Sequence, residues 1–127
     1  MTHSSIKTLT LAALALVSIA YTTPILEERA CTWTSSSTCP SGDGCVFTGP
    51  GGNQFQVQCG MDTVDGGYIL SYTAGNFIEC MEHCGTVSGC GRVTFPGDVD
   101  SSGACYLKDG GGPLDSVAGH KVANLLT

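Results

Sequence analysis

The chain has 127 residues, a formal net charge of −6 and a charged fraction of only 13%, with 18 glycines and 8 cysteines. A chain of that length holds one small domain, and the composition excludes a coiled coil, a charge-driven disordered tail and a two-domain enzyme. Net negative charge repels phosphate backbones and anionic lipid, so neither nucleic acid nor a membrane is an expected partner.

The N-terminus is polar, carries the cation Lys7, and runs into an apolar stretch from Leu9 to Ala20 with the small residues Ser18 and Ala20 at its end. This is the layout of a secretory signal peptide over residues 1–20. The apolar stretch is shorter than the roughly 20 residues needed to span a bilayer. Residues 21–29 end in Leu26-Glu27-Glu28-Arg29 and read either as a solvated stub or as a pro-segment cut after Arg29. The expected folded unit is a single domain over residues 30–127, in a secreted, extracellular protein. It keeps the charge of −6, because residues 1–29 hold two acids and two bases.

All eight cysteines fall in that unit, at Cys31, Cys39, Cys45, Cys59, Cys80, Cys84, Cys90 and Cys105. An even count at this density in an oxidising compartment reads as a disulfide scaffold. Cys80-Met81-Glu82-His83-Cys84 contains atoms that zinc would accept, but no second compact cysteine pair has standard zinc spacing. No metal and no other cofactor is therefore expected.

In chain order, residues 32–38 form a Ser/Thr-rich arm around Trp33, open to O-glycosylation. Residues 40–44 and 48–53 carry turn chemistry. Phe55, Val57 and Cys59 alternate with glutamines, the period of a half-buried strand. Asp65-Gly66-Gly67 reads as a turn before a strand at Tyr68-Ile69-Leu70. A helix follows, with Asn76 as its cap and Glu79 three residues on. Phe77, Cys80, Met81 and Cys84 share one face of it, and Gly85 ends it. Residues 92–95 and 104–107 read as strands, Gly110-Gly111-Gly112-Pro113 breaks the chain, and residues 121–126 form a last strand. The expected fold class is α+β: one helix packed on a small antiparallel sheet.

Cys80-x3-Cys84-x5-Cys90, followed by Cys105-Tyr106-Leu107-Lys108, resembles the PAN/apple domain. Phe55-x-Val57-x-Cys59-Gly60-x-Asp62 with Gly66-Gly67, and the entry Cys39-Pro40-Ser41-Gly42-Asp43-Gly44, resemble its short, secreted fungal version. The likeness covers residues 39–126. It implies a helix cradled by an antiparallel sheet and two disulfides that pin it, Cys80–Cys105 and Cys84–Cys90. The chain departs from the full apple pattern in that no cysteine follows Cys105, so Cys59 is expected to pair upstream. Cys39–Cys59 with Cys31–Cys45 is the favoured arrangement among the pairings left open for these four. The resemblance implies a non-catalytic recognition module that binds an extracellular protein or carbohydrate, with its binding residues unnamed. The other reading is a small secreted inhibitor or toxin acting on a host enzyme through the loop at residues 97–103.

No nucleophile elbow, zinc-protease helix motif or phosphate loop occurs, so no catalytic residue is nominated and the chain is not read as an enzyme. His83 and His120 read as surface or edge histidines. Asp98-Val99-Asp100-Ser101-Ser102-Gly103, with Asp109 in the twelfth place, copies the oxygen spacing of a calcium loop. Its flanks of glycine and proline cannot form the required helices, and it reads as an acidic hairpin loop. Trp33, Tyr68, Tyr72 and Tyr106 have faces suited to sugar rings but equally to a core.

Overall fold

The computed structural model describes residues 31–63, 67–98 and 101–126. The expected signal peptide and pro-segment lie outside the described residues. So do Asp65 and Gly66 of the expected turn, and Val99 and Asp100 of the acidic loop.

Six strands form one sheet: β1 (Val46–Thr48), β2 (Gln54–Thr63), β3 (Tyr68–Ala74), β4 (Arg92–Pro96), β5 (Gly103–Lys108) and β6 (Leu114–Leu125), with the helix α1 (Phe77–Cys84) between β3 and β4. The order across the sheet is β1-β2-β6-β4-β5-β3, and every neighbouring pair is antiparallel. Among the described residues this is an α+β architecture with one short helix.

The helix begins where its cap chemistry places it. The Asn76 side chain accepts from the Glu79 amide at 2.7 Å, and the Glu79 carboxylate accepts from the Gly75 amide. The reciprocal half of the box thus falls on the residue before the cap, one position earlier than the standard pattern. Phe77, Cys80, Met81 and Cys84 are all buried. They meet Val93 and Phe95 of β4, Cys105 and Leu107 of β5, Phe55 and Val57 of β2 and Ala123 of β6. Trp33 joins this core from the N-terminal arm, edge-on to Phe77 at 5.4 Å, and Phe77 packs on Phe95 at 5.5 Å. The arm expected to be irregular therefore carries the largest side chain of the core.

Lys121 is fully buried on the same side. Its ammonium lies 4.9 and 5.1 Å from the Phe77 and Phe95 ring centres and donates to the Gly97 carbonyl at 2.6 Å. Aromatic faces and a carbonyl replace part of its water shell.

Four disulfides join Cys31 to Cys45, Cys39 to Cys59, Cys80 to Cys105 and Cys84 to Cys90. The first two tie the N-terminal arm to β1 and β2. The third crosses from α1 to β5, and the fourth closes the turn after the helix.

Four strands differ by more than one residue from the sequence expectation, among them β3, which runs on to Ala74 because Ser71 to Ala74 pair with Tyr106 to Gly103 of β5. β1 is not foreseen, because three residues carry too little periodicity; it exists through pairing with Gln54, Phe55 and Gln56. β2 runs on to Thr63 and β6 starts at Leu114, because their far halves pair with each other through Met61, Asp62 and Thr63. Between Cys59–Lys121 and Met61–Ser116 the register jumps, so residues 117–120 bulge out opposite Gly60.

Candidate functional site

Alternation decides which side chains leave the helix face. In register, Thr94 of β4 faces Tyr106 of β5 and Val122 of β6, while Arg92 faces Lys108 and Asn124. Directly opposed residues share a face, and the odd-numbered partners Val93 and Phe95 belong to the core. The sheet side away from α1 therefore gathers Arg92, Thr94, Tyr106, Lys108, Val122 and Asn124.

A concavity of about 300 Å³ opens on this side. Asp62, Lys108 and His120 supply its charged and titratable groups, Thr94 its hydroxyl, and Pro96, Ala104 and Tyr106 its apolar surface. The bulge in β6 brings His120 over the end of β4, where it pairs with Pro96.

Asp62 organises the polar groups. Its Oδ1 accepts from the Thr63 amide at 2.6 Å and from Lys108 Nζ at 3.5 Å, and its Oδ2 meets His120 Nδ1 at 3.1 Å. Burial pushes the carboxyl pKa up. The Thr63 amide, the Lys108 ammonium, Thr94 and His120 outweigh burial and hold it below the ordinary carboxylate value. The Asp62 side chain is 25% exposed. An ionised carboxylate only accepts, so Nδ1 of His120 donates to Asp62, and Nε2 is left for another partner.

Beside it on the same face lies a second polar layer. Arg92 donates through Nε to Asn124 at 2.6 Å, and through Nη1 to Thr63 Oγ1 at 3.2 Å and the Gly112 carbonyl at 2.7 Å. Asn124 in turn donates to Gln58 at 2.8 Å. Burial lowers the Arg92 pKa and Asp109 pulls it back up; a guanidinium stays charged through such shifts. Thr63 connects the two layers, its amide on Asp62 and its hydroxyl on Arg92.

Thr94 Oγ1 is the exception to this satisfaction. It is buried in the wall of the cavity, near enough to Asp62 to help hold that carboxyl's pKa down, but no partner meets it at hydrogen-bonding distance and angle. A buried hydroxyl without a partner is costly, and a group bound in the cavity is what could supply one. Thr94 has no hydrogen bond to His120, so Asp62, His120 and Thr94 do not form the base-on-nucleophile chain that acyl transfer requires.

The other residues singled out by sequence lie elsewhere. His83 stands edge-on to Tyr72 at 4.8 Å, and Cys80 and Cys84, which flank it, are in disulfides. Burial, then the charge of Glu79, raises the Tyr72 pKa. Trp33 is in the core. Asp98 precedes β5 and Asp109 follows it, so the strand separates them by about 20 Å and they cannot share one ion. Asp109 instead accepts from the Gly111 amide at 2.9 Å. The stem of the 97–103 loop is held by Cys39 N–H donating to the Asp98 carbonyl at 2.9 Å and Gly97 N–H to the Gly119 carbonyl at 2.6 Å. A smaller cleft of about 80 Å³ lies between the 49–53 turn and the end of α1, floored by Phe55 and Met81.

Of the cavity residues, His120 and Tyr106 are weighed individually from sequence. Asp62, Thr94 and Lys108 are not, because each sits inside an ordinary strand pattern and only the pairing of β2, β6, β4 and β5 brings them together. Among the described residues no three His, Cys, Asp or Glu side chains are grouped to hold a metal, and no helix is long and apolar enough to cross a membrane. In comparison with known proteins, the chain matches no family model, no curated protein and no solved structure.

Proposed function

We propose that the chain is a secreted, non-catalytic recognition module of PAN/apple type, and that it binds carbohydrate in the cavity beside Asp62. The single observation that carries this reading is the set of hydrogen-bonding groups left unused there. Lys108 keeps spare N–H donors, the Asp62 carboxylate keeps acceptor lone pairs, His120 Nε2 is uncommitted, and the Thr94 hydroxyl both donates and accepts. The charges of Lys108 and Asp62 cancel. A balanced mixture of donors and acceptors around one paired positive and negative charge suits hydroxyl groups, each of which donates and accepts. The half-exposed Tyr106 ring offers the apolar surface that a sugar's C–H face needs.

An extracellular protein is the weaker ligand, since the cavity is a few atoms wide and a protein interface of standard size buries about 800 Å² per partner. The resemblance in the 80–105 cysteine spacing, a helix lying on an antiparallel sheet, and four disulfides support the family and compartment halves of the reading. A glycan array probed with the secreted protein tests the ligand. Saturable binding to one sugar class, weakened by Thr94→Val and by Tyr106→Ala, is the expected result. No saturable binding to any sugar, with a host enzyme captured by the 97–103 loop, would overturn it in favour of an inhibitor.

A further inference from the structure

We propose that Tyr68 forms a second subsite beside the cavity, so that the ligand is an oligosaccharide whose terminal ring enters the cavity and whose next ring lies on Tyr68. This rests on the carbohydrate reading above. Tyr68 of β3 is directly opposite Lys108 of β5, and Lys108 lines the cavity. The register slips between Tyr68 and Leu70, which turns Tyr68 away from the helix side while Leu70 stays partly buried against the core.

The ring is 61% exposed, the most exposed large apolar side chain among the described residues. It is not loose. Its hydroxyl lies 3.1 Å from Ser71 Oγ, and Ser71 is opposite Tyr106. The phenol therefore leans along β3 toward the cavity rim. Tyr106, the only other exposed large aromatic among the described residues, stands one strand away. Neighbouring strands are about 4.8 Å apart, close to the width of one sugar ring. A rigid aromatic with a tethered hydroxyl, next to a polar cavity sized for one ring, is a platform for the following unit.

The test is a calorimetric and NMR titration of the intact secreted protein with glucose, galactose, mannose and N-acetylglucosamine, each alone and as a disaccharide. The expected result is that one disaccharide binds more tightly than its monosaccharide by roughly two- to tenfold, the range for one aromatic contact. Tyr68→Ala should remove that gain and leave monosaccharide affinity unchanged, and Tyr68→Phe should retain it. A disaccharide that binds no better than its monosaccharide, or a Tyr68→Ala effect equal on both, would overturn the subsite while the carbohydrate reading stands. Binding of none of these sugars would overturn both together.

Discussion

At the residue scale, Thr94 and Asp62 make opposite demands on the protein, and each can be separated from its neighbours by one substitution. The Thr94 hydroxyl is buried with no partner in hydrogen-bonding geometry, so removing it relieves a desolvation penalty and loses only a weak contact with the Asp62 carboxylate. Thr94→Val keeps the shape and should leave stability unchanged or raise it by up to about 1 kcal/mol, while sugar affinity falls. Denaturant unfolding beside a sugar titration checks this; a variant that is clearly destabilised would mean that the hydroxyl is satisfied within the fold. Asp62 is different, because its folded pKa is depressed. A depressed carboxyl contributes stability above its unfolded pKa, near 3.9, and loses it as pH falls through the lower folded value. The stability advantage of wild type over Asp62→Asn should therefore shrink as the solution is acidified below about pH 5, through the ordinary aspartate range. Urea unfolding of both proteins from about pH 5 to about pH 2 gives the comparison, and an advantage that does not shrink over that range contradicts the depressed Asp62 pKa.

At the scale of elements, the helix depends most on local chemistry. Asn76→Ala removes the acceptor of the Glu79 amide and should lower stability by about 1 kcal/mol, read as a lower denaturation midpoint with an unchanged slope. No loss would show that tertiary packing alone sets the start of the helix. The same locality makes α1 legible in the sequence to the residue, since a cap, a four-residue apolar face and a closing glycine all lie within ten positions. Strands β4 and β5 are legible for a related reason: compact apolar runs between glycines. The cavity is not legible. Asp62 and His120 are 58 residues apart, Arg92 and Asn124 are 32 apart, and no local pattern says which strands will be neighbours. The bulge that aims His120 inward depends on a mismatch between β2 and β6, which is a property of the pair and of neither strand alone. Trp33 illustrates the converse, where a Ser/Thr-rich context hides a core residue because its partner Phe77 lies on a helix 44 positions away.

At the scale of the molecule, the described residues form a sheet of six strands with one eight-residue helix and a small core, and small domains rely on cross-links to limit the unfolded chain. The four disulfides do not share this task equally. Cys39–Cys59 and Cys31–Cys45 hold the arm that delivers Trp33 to the core, with separations of 20 and 14 residues. Cys84–Cys90 spans only 6 residues, within a turn already closed by backbone hydrogen bonds from Val87 to Cys84 and from Cys90 to Val87. Cys80–Cys105 spans 25 residues and is the one disulfide that fastens the helix to the sheet. Loop-closure entropy gives about 3.5 kcal/mol for the longer link and about 2.2 kcal/mol for the shorter. The alanine pair Cys80→Ala and Cys105→Ala also empties two fully buried positions, which adds to its loss. The pair Cys84→Ala and Cys90→Ala leaves a turn that its own hydrogen bonds still define. The first double variant should therefore lose about 1 kcal/mol or more beyond the second, and thermal unfolding of the two in parallel measures the gap. Equal losses, or a larger one for the Cys84 and Cys90 pair, would mean that the turn after α1, rather than the tie between α1 and β5, limits the stability of the fold.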